Sequence, residues 1–524
     1  MAGSEIAELT RDAAPAAPFR SILFPDGAGG RNEGLPAFLA DLNLDQVLTA
    51  LAGARPAHDL IPLFAEALTD PGAIAFRHEV FRDLETEAVR QAVDAFAARM
   101  TGMREHLRQA AAFHHRRQGE SAVLDAVGVY CMAVRELAER LSSIELRSRG
   151  LRGLRDHLQA HSVSEEFRVL ASEAADLRQR LAGVTYSLRI RGNRVIVNNH
   201  AGEPDLSREV EAVFDRFQQG ATKDYRVTFA NPVEMNHVEA MILDRVAQLN
   251  AELFAQLSAF CSTHAAFVDP VVGRFEREVH FYLSYLDLMG TLRTAGLELC
   301  YPEVSASSRH LLARDTFDIA LAAKLVAAGR PVVCNDVELG DGESVFVVTG
   351  PNQGGKTTFA RTLGQLHHLA RLGVPVPGRS ARLLLCDRVF THFQREERVT
   401  DLRSNLQDEL IRVREILSRA TSRSVVIMNE SLASTTADDA LFLGREVIRR
   451  LLERGVIGVY VTFIDELTTA FPGLVSMVST VFPDDPVRRT FKVVRREADG
   501  RAYALAIAEK YRLTYDQLRE RVGQ

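Results

Sequence analysis

Apolar residues recur at intervals of three and four from Leu35 to about Gly183, as in Val89, Val93 and Phe96 and again in Val123, Val127 and Tyr130. That spacing lays one apolar stripe along a helix. No proline falls between Pro71 and Pro204, so long helices are predicted, in the manner of a bundle. The pattern changes at VTYSLRIRGNRVIVNN, 184–199, where Tyr186, Leu188 and Ile190 alternate and Val195, Ile196 and Val197 follow a Gly-Asn turn. This predicts a strand pair. DYRVTFANPVEM, 224–235, adds another strand. Helical spacing resumes at Asn236 and runs to about Gly296 through Met241, Leu243, Val246, Leu249, Leu253 and Leu257. A small β insertion at about 184–235 therefore interrupts a helix-rich region.

From about residue 331 short apolar runs alternate with helical segments: VFVV at 345–348, VVIM at 425–428 and VIGVYV at 456–461. Strands alternating with helices predict an α/β sheet. Near the end, Asp499-Gly500 sits between two alternating segments and predicts a hairpin. With 524 residues the chain is long enough for two to four domains. The division read from the pattern is an Ala-, Gly- and Pro-rich flexible arm at 1–34, the helix-rich region with its β insertion at 35–330, and the α/β domain at 331–524.

Hydrophobic residues at 46% and charged residues at 25% are those of an ordinary globular protein. A net charge of −6 argues against a uniformly basic nucleic-acid coat but leaves room for a local basic face. The five cysteines are scattered, with no CxxC pair or Cys/His cluster, so neither a disulfide framework nor a zinc site is expected. The N-terminus lacks the apolar core of a secretory signal, and no run approaches the roughly 18 apolar residues of a membrane span. A cytoplasmic location without membrane attachment is expected.

The strongest chemical signal is VFVVTGPNQGGKTTFARTL, 345–363, in which Gly350, Gly355, Lys356 and Thr357 match G-x-x-x-x-G-K-[ST] between an apolar strand and an amphipathic helix. Glycines let backbone N–H groups converge on phosphate oxygens, and the helix N-terminus adds partial positive charge. In this phosphate loop Lys356 would neutralise β/γ-phosphate charge and Thr357 would offer its hydroxyl to Mg²⁺. Pro351, Asn352, Gln353, Gly354 and Thr358 complete the segment expected to wrap ATP. VVIM runs into Asn429-Glu430, with Asn429 seventy-three positions after Lys356. The pair emerges where open α/β sheets bind ligands. An Asp is usual at the first position; Asn429 keeps a carbonyl oxygen without the charge, so metal is expected to be held more weakly. Glu430 is placed to polarise an attacking water. Thr436 and Asp439 then fit a capping box, which puts Ser434, Thr435 and Thr436 at a helix start.

These segments resemble the MutS mismatch-repair ATPases: GPNQGGKTT, ARLLLCDRVFTHF at 381–393, ELIRVREILSRATSRSVVIMNES, CNDVEL at 334–339, VYVTFIDELT at 459–468 and AYALAIAEKYRL at 502–513. The resemblance implies an ABC-type P-loop domain preceded by core, lever and clamp elements. It implies a dimer with composite ATP sites, in which Ser434, Thr435 and Thr436 of one subunit face the γ-phosphate held by the other. It puts Asn335 and Asp336 near the base and Glu430 in the catalytic role, with ATP and Mg²⁺ bound. It also makes DNA a partner, through clamp strands whose candidate contacts are Arg189, Arg191 and Arg194.

The sequence departs from the family pattern at Asn429, at Leu432-Ala433-Ser434-Thr435-Thr436 where the family has Gly-Arg-Gly-Thr-Ser, and at Phe463 in place of the switch histidine. No mismatch-reading domain with its Phe-x-Glu wedge is recognised. The expectation is a divergent homodimeric MutS-like ATPase that hydrolyses ATP slowly and recognises mismatched, branched or duplex DNA in repair or recombination. The alternative is a nucleotide-switched scaffold with little hydrolysis and no DNA role.

Overall fold

The computed structural model describes residues 19–27, 35–192, 194–202, 235–394, 405–432, 435–498, 515, 518 and 519. The chain forms two compact units and passes between them at 19–20, 85–86, 146–147, 151–152 and 276–277. The first comprises residues 1–19, 86–146 and 152–276. The second comprises 20–85, 147–151 and 277–524. This does not follow the division read from the sequence at residue 330.

The first unit is helical, as the spacing predicts. Helices Glu87–Ala112 and Arg116–Ser143 pack against each other along their length, and Arg116–Ser143 also packs with Glu165–Ala182 and Ala251–Thr263. Their buried faces carry the predicted Val89, Val93, Phe96, Val127 and Tyr130. Ser164 caps the helix after it by accepting from Phe167 N, and Asn236 with Glu239 forms a full capping box at helix His237–Leu249. The predicted strand pair is present as the antiparallel hairpin β1 (Tyr186–Arg191) and β2 (Arg194–Asn199), with Arg191 opposite Arg194. The strand read at 224–235 lies outside the described residues apart from its last residue, Met235, which is not in a strand.

The second unit begins earlier than the sequence pattern suggests, because its strands pair across long separations. Three short strands, β3 (Leu299–Cys300), β4 (Glu303–Ser305) and β5 (Leu311–Thr316), precede residue 331. They are followed by β6 (Asn335–Leu339), β7 (Val345–Thr349), β8 (Val376–Pro377) and β9 (Ser380–Leu384). A four-stranded sheet has the order β4-β9-β5-β6, so strands at 303–305 and 311–316 share one sheet with those at 335–339 and 380–384. The main sheet adds β10 (Val389–Phe393), β11 (Val425–Asn429), β12 (Ile457–Val461), β13 (Leu474–Phe482) and β14 (Asp485–Arg495), in the order β10-β11-β12-β7-β13-β14. All pairs in it are parallel except β13–β14.

Both faces of this sheet are covered, which is why its strands read as unbroken apolar runs. Val345, Val347, Val426, Met428 and Tyr460 pack with Val413 and Ile416 of helix Asn405–Arg419 and with Val447, Ile448 and Leu451 of helix Ala437–Glu453. On β7, Phe346 meets Phe359 of helix Lys356–Arg371 edge-on at 5.9 Å.

Residues 19–27 correct the expectation of a flexible arm over 1–34. Ile22 and Leu23 are fully buried, and Ser21 donates to Glu278 at 2.8 Å. The buried Arg77 guanidinium donates to the carbonyls of Leu23 and Leu372 and lies over the rings of Phe24 and Phe281. A buried cation holds only when so paired, and the Ala/Pro composition around it gives no hint of that.

Candidate functional site

Strand β7 ends at Thr349, and the loop Gly350–Gly355 turns into helix Lys356–Arg371. Gly350 has φ 112° and Gly355 φ 98°, values that side chains rarely tolerate, and Gln353 adopts φ 59°. The loop is also pressed from below. A Cβ on Gly350 would stand 2.5 Å from Ser479 Oγ and 2.8 Å from Ser479 O, and one on Gly354 would stand 2.6 Å from the same Oγ. Sterics as well as φ thus require glycine there.

Lys356 is buried, with Nζ donating to Gly350 O at 2.8 Å and Pro351 O at 3.1 Å. Burial pulls its ammonium down to about 8; the Glu430 carboxylate opposes that shift and the Arg489 guanidinium adds to it. The Phe463 ring lies 4.3 Å from Nζ. Phe463 cannot hydrogen-bond a phosphate, but as a half-exposed ring it holds the lysine by cation–π attraction.

Asn429 closes β11, two strands from β7 across β12. Its Oδ1 is buried and has no hydrogen-bond partner among the described residues. Thr349 Oγ1 and Ser479 Oγ are in the same condition, and the strand partner of Thr349 is Val478. Buried polar atoms left unpaired are uncommon, and three around one glycine-rich loop mark a place built for a polar ligand. The donor set also fits Mg²⁺: Asn429 Oδ1 is an available oxygen, and Thr357 follows Lys356 at the helix start. A neutral amide oxygen supplies less attraction than a carboxylate.

Glu430 and Leu432 both take left-handed conformations, φ 52° and 65°. Glu430 N donates to Val461 O at 3.1 Å and Leu432 N to Glu409 Oε2 at 3.0 Å, which fixes the strained turn. Left-handed geometry costs a bulky residue about 1–2 kcal/mol. Leu432 is fully buried, and burying it contributes about 1.5–3 kcal/mol. Burial therefore outweighs strain, and a leucine persists on a backbone shaped for glycine. Thr436 caps helix Ala437–Glu453 as expected, accepting from Asp439 N, and Thr435 Oγ1 reaches Asp439 Oδ2 at 3.3 Å. Ser434 lies outside the described residues.

Asn335 and Asp336 open β6, and their side chains are committed to the protein. Asn335 Nδ2 donates to Phe491 O at 3.3 Å and its Oδ1 accepts from Val493 N at 2.8 Å. Asp336 accepts from Asp315 N at 2.9 Å and pairs with Arg314. A contact to a base from this segment would have to come from its backbone.

In the first unit Arg189, Arg191 and Arg194 are exposed, and strand alternation with the Arg191–Arg194 pairing puts all three on one face of the hairpin. Like charges directly opposite destabilise a strand pair unless an anion joins them. By contrast Arg104, Arg108, Arg116 and Arg117 are each paired with a carboxylate: Glu276, Glu105, Glu120 and Glu120. Among the described residues no helix is long and apolar enough to cross a membrane, and all five cysteines are free thiols.

Residues 346–514 match the family model MutS domain V. The endonuclease MutS2 of Thermus thermophilus is 32% identical over 189 residues, which is 36% of this chain and 25% of that protein. The DNA mismatch repair protein MutS of Chlorobium phaeobacteroides is 24% identical over 370 residues, 66% of this chain and 40% of that one. The protein of the same name from Oleidesulfovibrio alaskensis is 26% identical over 337 residues, 61% and 34%. The matched part is thus between a quarter and two-fifths of the length of these relatives.

Proposed function

The chain belongs to the MutS family through its domain V, and from that premise we propose that it is an ATP-dependent DNA-binding protein of repair or recombination. It binds ATP with Mg²⁺ at a composite site of a homodimer, hydrolyses it slowly, and recognises mismatched, branched or duplex DNA. The supporting observation is that Lys356, Glu430 and Asn429 all follow or close the C-terminal ends of strands β7 and β11, with the Lys356 ammonium and the Glu430 carboxylate close enough to interact.

In this mechanism the loop N–H groups from Asn352 to Thr358 cradle the phosphates and Lys356 exchanges the carbonyls of Gly350 and Pro351 for phosphate oxygens. Bound Mg²⁺ would neutralise β/γ charge, with Thr357 and Asn429 as its protein contacts. Glu430 accepts a proton from the attacking water. Ser434, Thr435 and Thr436 cap the γ-phosphate of the partner copy. The basic face of the β1–β2 hairpin contacts DNA phosphates.

The test is an ATPase and DNA-binding panel over duplex, mismatched and branched DNA at one fixed salt. ATP should change DNA affinity by the same factor by which DNA changes ATP affinity. Failure to bind any of these DNAs removes the DNA role. Dimerisation by nucleotide that ignores DNA would favour the scaffold alternative instead.

Asn429→Asp tests the metal contact. Restoring the charge is worth about 1–3 kcal/mol, so hydrolysis should rise roughly tenfold and half-saturation with Mg²⁺ should fall. An unchanged rate and Mg²⁺ dependence would show that Asn429 does not limit turnover.

A further inference from the structure

The basic run on β14 is not a uniform solvated face. Arg495 pairs with Glu343, Lys492 donates to Cys334 O at 2.5 Å, and the exposed Arg488 lies over the Phe482 ring at 4.6 Å. Arg489 alone of these four is directed at the phosphate loop, where its Nε donates to Asn352 O at 3.1 Å.

An irregularity in the sheet puts it there. The β13–β14 register shifts between Ser479 and Val481 and again between Val481 and Phe482, and Phe491 on β14 takes φ 58°. A bulge re-aims the strand that carries it. Here it brings β14 over the loop, so that a Cβ on Gly355 would stand 3.4 Å from Phe491 O. Asn335 pins that path through its bonds to Phe491 and Val493, which gives the residue expected to lie near the base a different use. The result is a guanidinium close enough to Lys356 for the two cations to repel each other. The Glu430 carboxylate offsets part of that repulsion at Lys356, and an anion with several charges gains from both cations at once.

We propose that Arg489 is a phosphate-contacting residue supplied by β14 of the same chain, a second cation beside Lys356 that favours nucleoside triphosphate over diphosphate. The inference rests on reading the loop as a nucleotide site. A triphosphate carries more negative charge than a diphosphate, so a second cation gains most from it. A planar, permanently charged fork suits phosphate oxygens. The assignment also supplies, within one chain, a cation of the kind missing at Leu432-Ala433.

The experiment titrates fluorescent ATP analogues resistant to hydrolysis, and fluorescent ADP, against the full chain. Arg489→Gln retains an N–H that can reach Asn352 O but lacks the charge. It should weaken triphosphate binding at least tenfold and diphosphate binding less than threefold, with an unchanged melting temperature. Arg489→Lys should recover part of the loss, and Arg488→Gln should bind as the parent does. Equal weakening of both nucleotides, or a lowered melting temperature with the loss, would make Arg489 a prop for the loop and overturn the assignment. So would parental binding by Arg489→Gln while Lys356→Ala loses both nucleotides. Binding of neither nucleotide by the parent protein would instead overturn the reading of the loop itself.

Discussion

Glu430→Gln should lower ATP hydrolysis by about 10²–10⁴-fold while nucleotide affinity stays within a few-fold of the parent, the range expected when a general base is removed. The substitution isolates the carboxylate because it changes little else. Glutamine has the same shape and meets the same backbone demand, φ 52° at this position. The backbone bond from residue 430 to Val461 O is untouched. Single-turnover phosphate formation, quenched in acid and read beside phosphate release, separates the chemical step from product release and is the measurement to make. A loss confined to steady-state turnover, with phosphate formed at the parental rate on the enzyme, would assign Glu430 to release. A rate within threefold by both measures would remove it from the mechanism. The Asn429 effect should differ in kind: it follows Mg²⁺ concentration, whereas no amount of Mg²⁺ restores a missing base.

The same region shows which features a sequence can reveal. The loop is legible because backbone geometry dictates residue type, and only glycine satisfies φ 112° at Gly350 and 98° at Gly355. Strands β7, β11 and β12 are legible because a strand covered on both faces cannot alternate. The helix after Thr436 is legible because its cap is a local device. What escapes is non-local. The bonds from Ser21 to Glu278 and from Arg77 to Leu372 join parts of the chain far apart in sequence, and no periodicity encodes them. Strand β4 has only three residues, and β5, LLARDT, carries two charges in place of an apolar run, yet both belong to the sheet that carries β6 and β9. Arg489 reads as one charge among Arg488, Arg489, Lys492, Arg495 and Arg496; its direction is set by a register shift against β13 whose extra residues lie on β14 itself. Leu432 reads as a lost glycine, although its backbone keeps the left-handed turn and its side chain fills the core.

Gly350→Ala should abolish nucleotide binding and lower stability by about 2–4 kcal/mol, from a clash and a backbone penalty acting together. The new Cβ would meet Ser479 Oγ at 2.5 Å and, more seriously, Ser479 O at 2.8 Å. A hydroxyl can rotate away, but a carbonyl in the β13 backbone moves only with its strand, and that strand lies between β7 and β14 in the sheet. The cost therefore spreads to the residues that hold Arg489 and Phe491 over the loop. The double variant Gly350→Ala with Ser479→Gly distinguishes the sources of strain. Removing the hydroxyl should return less than half of the lost stability, because the carbonyl and φ 112° remain. Thermal unfolding read beside equilibrium binding of a fluorescent ATP analogue makes the comparison. Full recovery in the double variant would mean that the serine side chain alone enforces glycine here. Parental stability in the single variant would mean that β13 yields readily and that the loop is not braced by the sheet beneath it.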